Sequence, residues 1–202
     1  NLAIMSKYPI EQTWDIFQPF NCSAATIRIS QTQTINYVNL WLDWQPLTDA
    51  QVKAKMPVEE MEAQELPTRY RELNEILKGM KPMFDQKDVP VIVSGDVYSG
   101  SHLDWTNEAR HLFEGYAMRW PTSVLMQEKG FKDSYRELHP DPVKYPCLTW
   151  STMSKLDIQY RIDFIYYQGK KIKAVTSEMI DKHPVRFPSD HAAMITTFKF
   201  KK

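Results

Sequence analysis

The sequence predicts a mixed α/β domain, and three patterns lead to this prediction. Residues 91–96 form a short β-branched run that ends in a glycine and an acid, as a buried strand does when it presents a carboxylate at its tip. Apolar residues from Leu73 to Met80 recur at the spacing of one helix face. Residues 193–198 alternate in character, which is the pattern of a strand with one buried face. Strands and helices therefore share one chain of 202 residues, which is long enough for one sizeable core.

The first third of the chain is predicted to be mostly strand. Residues 1–10 are interpreted as a strand that ends in a turn at Pro9. Alternation over residues 24–30 and 35–42, on either side of a polar segment, predicts a hairpin. The acidic segment that follows, residues 49–64, begins as a turn and becomes helical.

A helix is predicted from Tyr70 to about Gly79. Pro67 cannot lie inside it without losing a hydrogen bond, at a cost of ~3 kcal/mol. We therefore expect a break at that proline, with Thr68 as the cap of the helix that follows.

After the strand at 91–96, small residues predict a loop, followed by two helices over about 107–114 and 121–130. Pro121 near the start and Gly130 at the end of the second helix are the usual asymmetry. Asp133 is the expected cap of one more short turn.

The last third is predicted to be strand over residues 161–167, 172–178 and 192–200. Gly169 and Lys170 predict a hairpin turn between the first two of these strands. No internal repeat and no domain boundary is visible, so residues 1–202 are interpreted as a single domain.

Composition narrows the choice of function. The formal net charge is zero and the pI is about 7.1, which argues against tight non-specific binding of nucleic acid, because such binding neutralises many phosphates. Cys22 and Cys147 lie too far apart for a metal-ligand motif, and the sequence leaves open whether they are free or paired. No apolar run is long enough to span a membrane, and no signal peptide is visible. The compartment stays open, and a soluble, a secreted or a periplasmic protein would each fit.

Three predicted strands carry an acid at or near one end. Asp96 ends the first, Asp163 lies near the start of the second, and Asp190 with His191 precedes the third. Carboxylates hold divalent cations, and an imidazole can move a proton or donate to a phosphate oxygen. The spacing of these residues along the chain indicates that they converge on one site. Each motif alone has a plainer explanation: Asp163 could pair with Arg161, and Ser-Asp-His could be a capped surface turn.

In their order, Gly95-Asp96, then residues 161–165, then Ser189-Asp190-His191 resemble the endonuclease/exonuclease/phosphatase superfamily. Residues 2–10 resemble its segment in which a strand runs into a Ser-Lys-x-Pro-Ile turn, and Leu148-Thr149-Trp150 resembles its Thr-Trp element. The resemblance implies an α/β (α+β) fold, a two-sheet β-sandwich flanked by helices. It also implies a metal-dependent phosphoesterase that uses Mg²⁺ or Mn²⁺.

The resemblance implies a role for each residue of the predicted site. Asp190 would be a metal ligand, and Asp96 would orient the attacking water or be the ligand of a second metal ion. His191 would contact the scissile phosphate or move a proton, and Asp163 would fix its imidazole. Ser189 would contact the substrate. His102 and Asp104, in the loop after Asp96, are interpreted as belonging to a surface turn.

Two positions depart from the pattern that the resemblance implies. Tyr98 stands where an asparagine amide would hold the phosphate, and Trp41 stands where a histidine would act on it. Both are assigned to substrate binding. The metal-binding glutamate of the pattern, in a Leu-Gln-Glu segment, would precede Asn1, so the chain is expected to carry the later two-thirds of the domain. Such a domain would have an unpaired sheet edge that favours self-association.

The sequence therefore favours a phosphodiesterase or phosphomonoesterase of the nuclease and phosphatase lineage, with the activity of this chain left open. The alternative is a non-catalytic binding or interaction module that keeps the sandwich. The expected partner is a phosphoester substrate, and the sequence does not decide between a small molecule, a lipid and a nucleic acid.

Overall fold

The structure is a computed structural model that describes residues 2–154 and 158–201. Eight strands in this part of the chain form two sheets. The larger sheet has six strands in the order β1-β2-β3-β4-β6-β5, and the smaller consists of β7 and β8. The strands are β1 (Ile10–Trp14), β2 (Cys22–Arg28), β3 (Thr34–Trp41), β4 (Val91–Asp96), β5 (Lys132–Asp133), β6 (Asp163–Gln168), β7 (Ile172–Ile180) and β8 (Ala193–Phe200).

The predicted hairpin is confirmed, because β2 and β3 pair in antiparallel register through the turn that joins them. The predicted strand over residues 1–10 is wrong. The described residues before Ile10 form no strand, and β1 begins at that residue, where pairing with Ile27 becomes available. A strand exists only where a neighbour satisfies its backbone groups, and local sequence does not reveal that neighbour.

Six α-helices lie in the described residues. They are α1 (Thr48–Lys53), α2 (Val58–Glu65), α3 (Arg71–Gly79), α4 (Lys81–Phe84), α5 (Pro121–Glu128) and α6 (Ser134–Leu138). The predicted helix from residue 70 to 79 is confirmed as α3, and Asp133 caps α6 by accepting from the backbone N–H groups of Tyr135 and Arg136. The helix expected over 107–114 is reduced to turns and one short 3₁₀ segment, Arg110–Leu112.

Pro67 interrupts the helix as expected, in a π-helical turn between α2 and α3 that spans Leu66–Tyr70. The role predicted for Thr68 is wrong. Its φ and ψ are −113° and −109°, and its hydroxyl donates backwards to the carbonyl groups of Gln64 and Glu65 at 3.1 and 3.2 Å. Thr68 thus satisfies acceptors left at the end of α2, and it does not cap α3.

The turn at Gly169 and Lys170 does not form the predicted hairpin. It carries the chain out of the larger sheet, from β6, and into the smaller one, where β7 pairs with β8. Gly169 has a φ of +132°, a backbone conformation that favours glycine. The predicted turn at Gly169 and Lys170 is present, but packing determines which strands pair on either side of it.

The larger sheet is covered on both faces. One face packs against α3, α4 and α5 in a core that contains Val38, Leu40, Val93, Phe164 and Leu125. The opposite face packs against β7 and β8 through residues that include Ile92, Tyr167 and Ile172. This confirms the predicted mixed α/β fold with two facing sheets and flanking helices. In the described residues, β7 and β8 have no third strand beside them.

Cys22 and Cys147 are both free and buried, and burial raises the pKa of each thiol to about 12. Of the helices in residues 2–154 and 158–201, none has the length and apolar character needed to cross a bilayer.

Candidate active site

Strand register brings the first acids together. At the ends of the parallel strands β3 and β4, Trp41 lies opposite Asp96, and Asp96 lies opposite Asp163 at the start of the antiparallel β6. Residues opposite each other on adjacent strands project from the same face of a sheet, with β-carbons about 5 Å apart. Three strands therefore place an indole and two carboxylates side by side.

Gly95 explains why β3 and β4 can approach so closely here. Its φ is +139°, and a β-carbon at this position would lie 2.0 Å from the carbonyl oxygen of Leu40. The glycine in the Gly-Asp motif is thus required by the backbone, and it sets where the Asp96 carboxylate projects.

Asp163 is positioned through its backbone. The fully buried Thr149 hydroxyl accepts hydrogen bonds from the backbone N–H groups of Ile162 and Asp163, at 3.0 and 3.1 Å. The Thr-Trp element thus fixes the strand end that carries the second carboxylate.

The same segment holds the loop that carries His191. The Ala192 N–H donates to the Thr149 carbonyl at 2.8 Å, and the Thr152 N–H donates to the Asp190 carbonyl at 2.8 Å. As predicted, Asp190 and His191 lie on the loop before β8 and outside the strand itself. Residues 149–152 therefore hold both the strand end that carries Asp163 and the loop that carries His191.

Asp163 and His191 form a hydrogen-bonded pair. The distance from His191 Nδ1 to Asp163 Oδ2 is 3.0 Å, and the two side chains are 23% and 21% exposed. The ring of Trp150 packs edge-to-face on the imidazole, with centroids 4.9 Å apart. Because Nδ1 is engaged by the carboxylate, Nε2 is the ring nitrogen left to serve a substrate. The pairing of Asp163 with Arg161 that the sequence left open does not occur, since Arg161 pairs with Asp104 and Asp133.

Several carboxylates surround the single imidazole of His191 in this site. Burial alone would lower the pKa of His191, but the hydrogen bond to Asp163 and the charges of Asp163, Asp96 and Asp190 raise it above its ordinary value. Burial and the charge of Asp163 raise the pKa of Asp96 to about 7, against the opposing effects of the Tyr98 N–H and of His191. Negative charge is thus concentrated at one spot.

The backbone of Tyr98 contacts the Asp96 carboxylate. Its backbone N–H donates to Asp96 Oδ1 at 2.9 Å, and its φ of +50° is unusual for a residue other than glycine. Burial raises the pKa of the Tyr98 hydroxyl, and a hydrogen bond from the Trp41 side chain opposes that shift. The two residues that depart from the family pattern therefore both lie beside Asp96.

A buried arginine stabilises this turn. Arg69 is fully buried, its guanidinium donates to the carbonyl groups of Tyr98 and Pro46, and its Nε lies 3.2 Å from Glu65 Oε1. No motif in the sequence marks Arg69 as a residue of the site. It follows the helix break at Pro67, and no local pattern connects it with a residue 29 positions later.

The acids and the imidazole form a group that fits a divalent cation. One ligand atom from each of Asp96, Asp163 and His191 lies within 4.8 Å of the others. Cation–oxygen distances are about 2.0–2.6 Å, so atoms at such separations can share one ion. Carboxylate oxygens suit Mg²⁺ and Mn²⁺, whereas an imidazole suits softer metals.

The remaining predicted site residues, Asp190 and Ser189, lie at the edge of the site. Asp190 and Ser189 are exposed on the loop before β8, and Asp190 lies outside the group that fits a cation, although its charge acts on His191 and Tyr98. The Ser189 hydroxyl accepts from the His191 backbone N–H at 3.1 Å. Their assignment to metal and substrate stays a prediction.

The interpretation of Asp104 as part of a surface turn is wrong. Asp104 is buried and pairs with Arg161 and Arg136. His102 is partly buried, with Nδ1 2.8 Å from Ser123 Oγ and Nε2 2.6 Å from Gln127 Oε1. Both residues hold the loop after β4 against the rest of the domain.

No protein-family model matches the chain. A curated relative, described only as an uncharacterized protein of Caenorhabditis elegans, is 32% identical over 154 residues, or 66% of this chain and 48% of the relative. The chain thus spans about half the length of the curated relative it matches.

Solved structures share the fold at low sequence identity. A 3′ phosphatase from Neisseria, NExo, bound to a product DNA hairpin is 17% identical, with a TM-score of 0.61 over 96% of this chain and 73% of that chain. An endonuclease/exonuclease/phosphatase from Bacteroides vulgatus is 14% identical, with a TM-score of 0.51 over 89% of this chain and 55% of that chain. The chain therefore has the fold of the endonuclease/exonuclease/phosphatase proteins.

Proposed function

We propose that the protein hydrolyses phosphoester bonds, in diesters or monoesters, with Mg²⁺ or Mn²⁺. The observation that carries this proposal is the meeting of Asp96, Asp163 and His191 within 4.8 Å, from three segments far apart in sequence. The fold supports it, since the similar Neisseria structure is named as a 3′ phosphatase.

In this proposal Asp163 and His191 act as a pair. The carboxylate holds Nδ1, which fixes the ring orientation and stabilises the imidazolium once it forms. Nε2 then faces the scissile group, where it donates a hydrogen bond to a phosphoryl oxygen or transfers a proton to the leaving group.

Asp96, which belongs to the group that fits a cation, orients the attacking water and would hold the cation. Asp190, which lies outside that group on the loop before β8, would be a further ligand. When bound, the cation polarises a phosphoryl oxygen and neutralises negative charge as it develops there. Tyr98, Trp41 and Ser189 line the substrate side of these acids. Phosphoryl transfer depends on such positioning and charge stabilisation, because the protein needs to form no covalent bond.

The test is hydrolysis of bis(p-nitrophenyl) phosphate and p-nitrophenyl phosphate by the purified protein, with Mg²⁺ or Mn²⁺ and with EDTA. Turnover should require the cation, and His191→Gln should lower it by about 100-fold or more, as expected for loss of general acid–base catalysis. The control is His111→Gln, because His111 is exposed and its Nδ1 contacts only the carbonyl of its neighbour Glu108 among the described residues. Turnover that persists in EDTA, or equal losses in both variants, would contradict the proposal.

A second candidate is a binding module that keeps the fold without catalysis. The observation in its favour is that Trp41 and Tyr98 stand beside Asp96, where the resemblance implies a histidine and an asparagine. An indole cannot accept a proton, and a phenol has no carbonyl oxygen for a cation.

The double variant Trp41→His with Tyr98→Asn decides between the candidates. A gain in turnover of orders of magnitude identifies the natural chain as impaired. An unchanged rate counts against this second candidate.

A further inference from the structure

Phe20 and Trp41 form an aromatic pair beside the acids. The ring centroids are 5.0 Å apart, the planes are inclined by 35°, and Phe20 is 55% exposed. More than half of the Phe20 side chain is therefore accessible to a ligand.

Asn21, the residue next to Phe20 in the sequence, holds Trp41 in place beside it. Asn21 follows Phe20, and its carbonyl accepts from the Trp41 N–H at 3.0 Å while its side-chain amide donates to the Trp41 carbonyl at 2.8 Å. Both backbone groups of Trp41 are thus bonded to the loop that carries Phe20. A ring fixed in this way loses little conformational entropy when it binds a partner.

The position of the pair ties it to the proposed site. Trp41 is the strand neighbour of Asp96, and the backbone N–H of Tyr98 donates to the same Asp96 carboxylate. A phosphoryl group held at Asp96 and His191 would therefore place its substituent close to the exposed face of this pair. Aromatic faces bind planar rings by stacking, and every nucleobase offers such a face.

We propose that Phe20 and Trp41 form the subsite for a nucleobase, so that the substrate is a phosphoester that carries a purine or pyrimidine. This inference rests on the proposed function, since it assigns the substrate class of the same site. The zero net charge fits a ligand with few phosphates better than a long duplex, which is gripped through many phosphates.

Calorimetric titration in EDTA tests the subsite without depending on turnover. The probes are adenosine 5′-monophosphate and ribose 5-phosphate, which share the sugar and phosphate and differ by the base. We expect the wild-type protein to bind the nucleotide at least about 10-fold more tightly, the gain typical of one stacked base.

The variants separate stacking from general apolar contact. Phe20→Leu should reduce the preference for the nucleotide by about 10-fold, whereas Phe20→Tyr, which keeps the ring, should retain it. Phe20 is exposed, so neither change should prevent folding. Tyr145→Leu is the control, because Tyr145 is another exposed aromatic residue, at 37%, and packs against His139.

Equal binding of the two probes by the wild-type protein, no binding of either, or an unchanged preference in Phe20→Leu would overturn the inference. Failure of the proposed function is a different result: phosphodiester turnover would be absent while the nucleotide preference persisted. A six-residue deoxyadenosine oligonucleotide tests whether the base that binds the subsite belongs to a nucleic-acid strand or to a free nucleotide. Tighter binding than the mononucleotide assigns the subsite to a strand, and equal binding assigns it to a free nucleotide.

Discussion

Thr149 shows how one buried hydroxyl organises the site. It accepts from two backbone N–H groups, those of Ile162 and Asp163, at the strand end that carries a catalytic candidate. Thr149→Val preserves the shape and removes the acceptor, and an unsatisfied buried N–H costs about 1–3 kcal/mol. We expect a loss of about 2–4 kcal/mol in the free energy of unfolding, measured by urea denaturation.

The control for this prediction is Thr152→Val. The Thr152 hydroxyl donates to the Ser189 carbonyl at an exposed site, where water replaces the lost bond, so the loss should stay below about 1 kcal/mol. Equal losses in the two variants would show that Thr149 has no special structural role.

At the scale of the element, the pairing of β3 with β4 depends on a glycine. An added β-carbon at Gly95 would lie 2.0 Å from a backbone oxygen of β3, whereas at Gly115 nothing lies within 4 Å. Both glycines have positive φ, of +139° and +90°, so both alanine variants bear a backbone cost of about 1–3 kcal/mol. Only Gly95→Ala adds a clash within the sheet.

We therefore expect Gly95→Ala to lower the free energy of unfolding by more than about 3 kcal/mol and Gly115→Ala by clearly less. Thermal and denaturant unfolding of the two variants provides the measurement. If both variants lost the same stability, conformational strain alone would account for the glycine in the Gly-Asp motif.

Helix α5 is tied to the loop after β4 by a neutral histidine. Burial lowers the pKa of His102 below its ordinary value of 6.5, although the hydrogen bond to Gln127 acts in the opposite direction. A neutral ring with a proton on Nε2 donates to Gln127, and its Nδ1 shares the single Ser123 hydroxyl proton with the Trp120 carbonyl. The nearby charges of Arg119 and Asp104 act in opposite directions and are minor.

The sign of the resulting pH effect follows from linkage. Because the folded pKa is lower than the unfolded one, the unfolded chain takes up the proton first as the pH falls. The contribution of His102 to stability is therefore present above pH 6.5 and is lost below it. His102→Gln should show a smaller decrease in unfolding free energy between about pH 7.5 and pH 5.5 than the wild-type protein. His111→Gln, at an exposed position, should keep the wild-type decrease.

At the scale of the whole molecule, a buried charge network joins elements that are far apart in sequence. Arg161 Nε lies 2.9 Å from Asp104 Oδ2, and its Nη2 lies 2.6 Å from Asp133 Oδ2. Arg136 also contacts Asp104, and all four side chains are almost fully buried. The network connects the loop after β4, the cap of α6 and the segment that leads into β6.

Asp104→Asn should lower the free energy of unfolding by about 3–5 kcal/mol, because it leaves buried guanidinium charge without its counter-charge. The matched control is Asp85→Asn, which breaks a pair with Lys81 whose side chains are 64% and 74% exposed. That change should cost no more than about 0.5 kcal/mol. Chemical denaturation of both variants measures the difference, and a small loss in Asp104→Asn would show that water reaches the network.

The sequence by itself determined the local part of this protein. The β-branched run of β4, the apolar spacing of α3, the Asp133 cap and the break at Pro67 follow from side-chain periodicity and backbone chemistry, which neighbouring residues dictate. The order of the acidic motifs also predicted that Asp96, Asp163, Asp190 and His191 would converge; Asp96, Asp163 and His191 do meet, whereas Asp190 lies outside their group.

Tertiary structure decided what depends on partners distant in the chain. Residues 2–9 form no strand, β6 and β7 belong to different sheets, and Asp104 is buried rather than exposed. Arg69 reaches Tyr98, and Phe20 reaches Trp41, across loops whose folding no local pattern describes. Sheet pairing, burial and ion pairing are set by the neighbours that the whole chain supplies, because a backbone group or a charge is stable only where a partner satisfies it.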